Sequence, residues 1–382
     1  MTSTPTGDAT AFSTRCVHSG LTPDAATGAI APPIHLSTTF ERDQDGSYPR
    51  GYRYSREGTP NRAAVEACIA ELEGGTGAIA YSSGLAASLA VFELLGPGDH
   101  VVAPRDAYHG TLRQLRDIVA KREVALELVD ATDQQALASA IGPRTRLVWV
   151  ETPANPLLGV TDIAATVALA RARGALVVCD NTFATPLCQQ PLCLGADLVV
   201  HSGTKYLGGH SDVLSGIVVV GRDAALGDRL REWQRMTGSV LAPFDCWLLR
   251  RSLSTLALRV ERQCTNALTI ALSLARHPAV AHTLYPGLPR HPGHATAVRQ
   301  MKGGFGAMIS IRVHGGRERA MRVAAGTRLF RRATSLGGVE SLIEHRASIE
   351  GPGSTTPEDL LRLSIGIEDG DDLCRDLARA LG

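Results

Sequence analysis

The 382-residue chain is predicted to be an α/β protein, with a large layered domain built on a mainly parallel sheet and a smaller α+β domain after it. Two observations predict this fold class. Apolar runs of strand length alternate with segments of helical periodicity from residue 62 onward, a pattern typical of parallel strands joined by helices. Several of the runs are continuously apolar, as expected for strands that helices cover on both faces.

Periodicity predicts the elements in chain order. Residues 1–61 show none, and we interpret them as an extended arm that packs on a neighbouring subunit. A helix is predicted at 62–72, where apolar residues recur at helical spacing. Strands are predicted at 78–82, 100–104, 126–130, 147–152, 175–180, 198–202 and 217–220, and helices at 85–95, 108–121, 133–141, 163–173 and 224–235.

The pattern changes after Asp245. A long helical stretch is predicted at 246–275, and candidate strands follow at 308–313 and 361–367. Prolines at 278, 286, 289 and 292 mark the joint between these elements, because proline interrupts regular structure. We therefore predict an arm at 1–61, a large domain at 62–245 and a C-terminal α+β domain at 246–382.

Composition narrows the classes of function. A hydrophobic content of 44%, a charged content of 20% and a net charge of +1 predict a soluble globular protein without a nucleic-acid or membrane partner. The chain has eight cysteines, scattered and often within apolar runs, which predicts free thiols and a cytoplasmic location. No metal site is predicted, because the histidines lack ligand spacing (His18, His35, His201 and His210).

Residues 201–210, which read His-Ser-Gly-Thr-Lys-Tyr-Leu-Gly-Gly-His, are the most informative segment. Lys205 follows a predicted buried strand, and a lysine amine in a crowded polar pocket can lose its proton and form a Schiff base with an aldehyde. The hydroxyls of Ser202 and Thr204 can hydrogen-bond a phosphate, and the two glycines allow close backbone approach. Together these features predict pyridoxal phosphate (PLP) as the cofactor.

Further polar residues follow other strands, and ligands of parallel sheets bind beyond the carboxyl ends of the strands. Gly84 and Leu85 begin a helix whose N-terminus favours a phosphate, although a capped turn is the alternative. Asp180 lies 25 residues before Lys205 and can keep a pyridine nitrogen protonated; capping of the next helix is the alternative.

Two more strand ends carry weaker signals. Asn155 lies between two prolines and can donate a hydrogen bond into a site, or it can simply form a turn. Tyr108 can stack on a flat ring and act as an acid or base, whereas an isolated tyrosine is more often a buried aromatic. These two signals support the PLP hypothesis only in combination with the others.

The chain resembles the cystathionine γ-synthase/γ-lyase family of Cys/Met metabolism. The matching segments cover nearly the whole chain in family order: 52–56 (Tyr-Arg-Tyr-Ser-Arg), 83–85, 151–156, 180–186, 202–210, 335–341 (Ser-Leu-Gly-Gly-Val-Glu-Ser) and 362–368. The resemblance implies the fold-type I, aspartate-aminotransferase-like fold of PLP enzymes. It also implies a homotetramer whose active sites are shared between two subunits, acting on a small sulfur amino acid.

The resemblance implies a role for each site residue. Lys205 holds PLP covalently and moves protons, Asp180 holds the ring nitrogen, and Tyr108 stacks on the ring and helps the leaving group depart. The phosphate is expected on Gly84, Leu85, Ser202 and Thr204, with Tyr54 and Arg56 reaching in from a neighbouring subunit. The substrate carboxylate is expected on Arg362, assisted by Asn155 and Ser335. An arginine within the apolar strand 361–367 fits that role, since an unpaired buried charge is costly.

The resemblance implies a carbon–sulfur lyase that removes the γ-substituent of L-methionine or L-cystathionine, giving 2-oxobutanoate, ammonia and a thiol. A γ-replacement transferase (γ-synthase or sulfhydrylase) and a cystathionine β-lyase are the alternatives. Many relatives have proline at the position of Arg346, and cystathionine γ-lyases often have glutamate at that of Thr334. Thr334 slightly favours an uncharged tail such as that of methionine. Methionine γ-lyases often have cysteine at the position of Gly110.

Overall fold

The computed structural model describes residues 10–350 and 356–382. Seven strands form the larger sheet: β1 (Gly77–Tyr81), β2 (His100–Pro104), β3 (Ala125–Val129), β4 (Thr145–Glu151), β5 (Leu176–Asp180), β6 (Leu198–Ser202) and β7 (Gly216–Val220). Their order is β1-β7-β6-β5-β4-β2-β3, and only β7 runs antiparallel to its neighbours. The predicted α/β class with a mainly parallel sheet is therefore confirmed.

Five shorter strands form a second sheet in the C-terminal part: β8 (Val280–Leu284), β9 (Met308–Val313), β10 (Arg331–Arg332), β11 (Leu342–His345) and β12 (Leu360–Ser364). Their order is β10-β11-β12-β9-β8, and all pairs except β10–β11 are antiparallel. The sequence predicted β9 and β12 but missed the other three. The strand predicted at 361–367 ends at Ser364, before Gly366.

The helices lie between and around the strands. They are α1 (Phe12–His18), α2 (Pro60–Glu73), α3 (Gly84–Phe92), α4 (His109–Gln114), α5 (Gln134–Ala140), α6 (Ile163–Arg171), α7 (Thr185–Cys188), α8 (Ala224–Thr237), α9 (Pro243–Leu253), α10 (Leu256–Leu274), α11 (His294–Gln300), α12 (Gly316–Gly326), α13 (Arg346–Glu350) and α14 (Gly370–Leu381). Helix α2 shows typical end signals: Thr59 caps it by accepting from Arg62 N (3.2 Å), and Gly74 ends it in the left-handed region.

Two predictions, one of a long helix and one of an irregular arm, need correction. The long helix predicted at 246–275 is divided into α9 and α10, and Arg259 spans the break by donating to the carbonyl of Ser252 (2.9 Å) and to Thr255 Oγ1 (3.1 Å). The arm is not wholly irregular, because α1 packs Cys16 into the core against α2 and α10. The predicted domain limits and the packing of the arm on another subunit stay predictions.

Apolar side chains from both sheets meet in one continuous core. Val65 of α2 and Val199 of β6 belong to the same buried cluster as Ile309 of β9 and Leu363 of β12. A second cluster lies under α3 and α8, and a third under α5 and α6, so helices cover both faces of the larger sheet. The shared core fixes the carboxyl ends of β4, β5 and β6 against the second sheet, and the candidate site lies between them.

Candidate active site

A cavity of about 230 Å³ lies at the carboxyl ends of β4, β5 and β6. Its other wall comes from the C-terminal part of the chain. The cavity brings together ten of the predicted site residues: Gly84, Leu85, Tyr108, Asn155, Asp180, Ser202, Thr204, Lys205, Ser335 and Arg362. These residues are spread over most of the sequence, and the fold brings them together.

Lys205 differs from the other lysines of the chain. Lys121 and Lys302 are exposed, whereas Lys205 lines the cavity just beyond β6. Its Nζ donates to Ser335 Oγ at 2.9 Å. Burial, and then the positive charge of Arg362, lower the pKa of Lys205 to about 8. The uncharged form, which a nucleophile or base requires, is therefore far more populated near neutral pH than in an ordinary lysine, although it is still the minor form at pH 7.

Asp180 and Glu151 end the neighbouring strands β5 and β4, where they are register partners. Asp180 Oδ1 accepts from Thr182 N at 3.0 Å, and Glu151 accepts from the backbone of Tyr108 (2.8 Å) and of Asn155 (3.1 Å). Burial raises the pKa of Asp180, and burial together with Asp180 raises the pKa of Glu151 well above its usual range. Two adjacent carboxyl groups with raised pKa values suit a cation placed beside them.

The start of α3 lies against the end of β6. A Cβ added to Gly84 would come within 2.8 Å of Ser202 Cβ, so only glycine permits this approach. Ser202 thereby lies next to the helix N-terminus, where backbone N–H groups and the helix dipole favour an anion. Thr204 Oγ1 donates to the carbonyl of Ser215 (3.2 Å) and accepts from Ser215 N (3.0 Å), which fixes the loop before Lys205.

Tyr108 immediately precedes α4 and projects toward the cavity. Its backbone N–H donates to Glu151, which ties the tyrosine to the end of β4. Gly110 allows the ring to fold back over the helix, because a Cβ there would meet Tyr108 Cε1 at 2.6 Å. The ring is about one-third exposed, at 36%, and so has a free face for stacking.

Arg362 lies in β12 and is only 4% exposed. Nη1 donates to Asn155 Oδ1 (2.9 Å), while Nη2 donates to the carbonyl of Ser335 (3.1 Å) and to Glu344 Oε2 (2.5 Å). Burial lowers the pKa of Arg362 to about 10, and Glu344 opposes that shift. Ser335 itself has a φ of 85°, a conformation that favours glycine, and this aims both its hydroxyl and its carbonyl at cationic side chains.

Sequence reasoning missed the charged group that holds Arg362. Glu344 is the register partner of Arg362 across β11 and β12, and one oxygen of Glu344 also accepts from Arg346 Nη1 at 3.0 Å. Arg346 lines the cavity together with His109. A charged residue directly after the apolar pair Leu342 and Ile343 was the available signal, and it is weaker than the apolar strand around Arg362.

Three predicted residues lie away from this cavity. Tyr54 is exposed on the arm with the guanidinium of Arg56 5.2 Å from its ring centre, and Arg56 lines a separate open cavity beside α8. Thr334 is also exposed, and it lines a neighbouring cavity that shares Thr204, Leu214 and Ser335 with the main one. The neutral side chain of Thr334 therefore bears less directly on a ligand in the main cavity than the sequence suggested.

Two other predictions concern absences. Among residues 10–350 and 356–382 no group of three or more His, Cys, Asp or Glu side chains could hold a metal ion. Over the same ranges, no helix has the length and apolar character needed to cross a membrane.

Comparison with known proteins gives a consistent result. Residues 13–382 match the model of the family described as Cys/Met metabolism PLP-dependent enzyme. The cystathionine gamma-synthase of Mycobacterium tuberculosis is 50% identical over 375 residues, covering 97% of this chain and 96% of the relative. The cystathionine gamma-lyase of Bacillus subtilis is 43% identical, covering 96% and 98%. The crystal structure of metB from Corynebacterium glutamicum has a TM-score of 0.95 and 46% identity, covering 97% and 98%.

Proposed function

The chain belongs to the Cys/Met metabolism family of PLP-dependent enzymes, and on that premise we propose that it removes the γ-substituent of a sulfur amino acid. With L-cystathionine and water the products are L-cysteine, 2-oxobutanoate and ammonia; with L-methionine and water, methanethiol replaces cysteine. The single observation that supports this proposal best is the hydrogen-bonded arrangement of Lys205, Ser335 and Arg362, in which an amine of lowered pKa lies near a buried arginine suited to a carboxylate.

The residues present fit PLP. The raised pKa values of Asp180 and Glu151 describe carboxyl groups that lack a cation, and a protonated ring nitrogen is a cation of the required kind. The close approach of α3 to Ser202 at Gly84 makes a cradle for a phosphate. Lys205, Asp180, Ser202, Gly84 and Leu85 would thus hold PLP, with Thr204 fixing the loop between them. When bound, PLP draws electrons from the substrate α-carbon and so acidifies its proton.

Proton movement falls to Lys205 and Tyr108 in this proposal. The uncharged Lys205 amine would remove the proton at the α-carbon, pass that proton on to the bound cofactor, and so be free to remove a proton at the β-carbon. Ser335 keeps Nζ directed into the cavity. Tyr108 donates a proton to the departing sulfur, since its ring lies at the same cavity. Arg362 binds the α-carboxylate, and Asn155 and Ser335 orient its guanidinium for that contact.

A tetramer with shared sites is part of the proposal. Tyr54 and Arg56 would complete the phosphate site of a neighbouring subunit, because they are available at the surface of the arm. Ile30 and Leu36 on the same arm are 81% and 72% exposed, and such apolar side chains suit an interface. Light scattering of the purified protein tests this point: a monomer at micromolar concentration would rule it out.

A second candidate, γ-replacement, is favoured by the 50% identity to a protein named cystathionine gamma-synthase. It shares every step up to loss of the γ-substituent, after which a thiol adds to the remaining four-carbon unit. The two candidates differ in whether water or a thiol completes the reaction.

Keto-acid release tests the proposal. The holoenzyme is given L-cystathionine or L-methionine alone, and separately a homoserine ester with L-cysteine. Release of 2-oxobutanoate from the thioethers alone supports elimination. Accumulation of thioether from ester and thiol, with little keto acid, would overturn elimination in favour of replacement. Pyruvate from L-cystathionine would identify β-elimination and overturn both.

A further inference from the structure

The cavity contains a second buried guanidinium, for which the proposed reaction has no use. Arg346 follows β11 directly, is 3% exposed and lines the cavity beside Tyr108 and His109. Nη1 donates to Glu344 Oε2 (3.0 Å) and Nη2 to Glu350 Oε1 (2.9 Å). Nε is buried and has no partner within the ranges 10–350 and 356–382. A buried charged donor without an acceptor is costly, so Nε is suited to a ligand oxygen.

His109 adds a second unpaired nitrogen at the same wall. It is the first residue of α4, and its Nδ1 is buried without a partner in the part of the chain that the structure describes. Burial, and then the positive charge of Arg346, lower the pKa of His109. The ring is therefore neutral near pH 7 and can present Nδ1–H. Two donors from different elements thus lack an acceptor beside Tyr108.

Arg346 is also linked to the arginine that we assign to the α-carboxylate. Arg346 Nη1 and Arg362 Nη2 both donate to Glu344 Oε2, so two guanidinium groups lie on either side of one carboxylate. Glu350 balances the second positive charge. Each arginine keeps a compensated charge before any ligand arrives, and each faces the same cavity. Such a cavity is suited to a ligand with two carboxylates, one for each arginine.

We propose that Arg346 and His109 form a subsite for the tail of the substrate, which takes a carboxylate at the far end of the γ-substituent. This inference rests on the proposed function, because it assumes that Arg362 takes the α-carboxylate. It names the substrate class as amino acids with an acidic or amino-acid tail, such as L-cystathionine, rather than L-methionine. Thr334, which slightly favoured an uncharged tail, lies on the neighbouring cavity, whereas Arg346 lines the main one.

Binding of two matched probes tests the subsite without turnover. L-2-Aminosuberate and L-2-aminooctanoate have the same carbon chain and differ only in a terminal carboxylate, and neither has a leaving group on the γ-carbon. Calorimetric titration of the holoenzyme is expected to show tighter binding of aminosuberate. In Arg346→Met, affinity for aminosuberate is expected to fall about 10- to 100-fold and that for aminooctanoate less than about threefold, the loss typical of one charge-assisted hydrogen bond.

The two outcomes that would overturn the inference are distinct. An equal loss for both probes would mean that Arg346 acts only through Glu344 on Arg362 and the shared α-carboxylate. No loss for either probe would mean that Arg346 has a structural role alone. A failure of the proposed function looks different, because the holoenzyme would then bind the probes but release no keto acid from any thioether.

Two further variants distinguish loss of the subsite from misfolding of Arg346→Met. His109→Ala leaves the Arg346 ion pairs intact and is expected to lower affinity for aminosuberate about 3- to 10-fold, the effect of one neutral hydrogen bond; unchanged affinity would remove His109 from the subsite. Arg113→Met, in the same helix but 77% exposed, is the control and should change neither affinity.

The source of the carboxylate is distinguished by turnover. L-Cystathionine carries it on an amino-acid tail, and O-succinyl-L-homoserine supplied with L-cysteine carries it on an ester tail. A fall in kcat/KM in Arg346→Met with either compound, beyond any fall with L-methionine, upholds the subsite. The compound with the higher kcat/KM in the native enzyme then identifies the tail. An equal fall with all three compounds would contradict the subsite.

Discussion

The two walls of the cavity hold their charges differently. At the carboxyl ends of β4, β5 and β6, Glu151 and Asp180 lie side by side with raised pKa values, and Lys205 has a lowered one. On the wall formed by β11, β12 and α13, Arg362, Glu344 and Arg346 are paired with one another. We call these the cofactor wall and the substrate wall. In our proposal PLP completes the charged groups of the first wall, whereas those of the second are already paired within the protein.

This difference predicts which property a substitution on each wall should change. In our proposal each group on the cofactor wall contacts PLP or moves a proton, so its loss removes a cofactor contact or a chemical step. A group on the substrate wall belongs to a chain of ion pairs, so its loss redistributes partners and should mainly alter substrate binding. The predictions below test this division, beginning with the largest expected effect.

Lys205→Ala should lower kcat by at least about 1,000-fold, because the variant loses the only base that we assign to the α- and β-protons. The measurement is keto-acid release under saturating substrate. Lys302→Ala, at an exposed position, is the matched control and should leave kcat unchanged. Substantial activity in Lys205→Ala would show that the cofactor wall has another base. It would contradict the expectation that loss of a group on this wall removes a chemical step.

Arg362→Leu should lower kcat/KM about 100- to 1,000-fold, chiefly through a higher KM, since a buried arginine–carboxylate contact is lost. Glu344 keeps Arg346 as its partner in this variant, so thermal unfolding should shift little. Arg312→Leu on the adjacent strand, where the side chain is 41% exposed, is the control. A loss confined to kcat would place Arg362 with the cofactor wall instead.

Asp180→Asn should weaken PLP binding about 10- to 100-fold, because the neutral amide no longer supplies a charged partner for the ring nitrogen. Titration of the apoenzyme with PLP, followed by absorbance near ~420 nm, gives the dissociation constant. Asp212→Asn, exposed in the loop after Lys205, is the control. Unaltered PLP affinity in Asp180→Asn would argue that Glu151 is the actual partner.

The sequence predicted the cofactor wall more completely than the substrate wall. Lys205 and Asp180 follow buried apolar strands, and parallel strands deliver their carboxyl ends to one edge of the sheet, so their convergence follows from local patterns alone. Arg362 was predictable for a different reason: a charge inside an apolar strand needs a partner. Which partner it has depends on the register of β11 with β12, and no local pattern contains that information.

The secondary structure shows the same limit of prediction from local patterns. The strands of the larger sheet are mostly apolar segments of five to seven residues, and the sequence predicted all seven. In the second sheet, β8 is half-exposed and β10 has two residues, so neither has a periodic pattern. The break between α9 and α10 was missed because no proline or glycine marks it in the sequence. At this break the side chain of Arg259 donates to the carbonyl of Ser252 and to Thr255 Oγ1.

The smallest expected effect is the influence of Arg362, on the substrate wall, on the pKa of Lys205, on the cofactor wall. The uncharged amine is the form that reacts with an aldehyde, so capture of PLP by the apoenzyme should quicken as pH rises and level off above a midpoint of about 8, compared with 10.5 for an ordinary lysine. Part of this lowering comes from the positive charge of Arg362 on the opposite wall. Arg362→Leu should therefore raise the midpoint, by less than about one pH unit because burial remains. Stopped-flow absorbance over pH 6.5–10 measures this midpoint.

A midpoint near 10 in the native protein would contradict the lowered pKa of Lys205. A midpoint near 8 that Arg362→Leu leaves unchanged would mean that burial alone lowers it, and that the two walls are electrostatically independent.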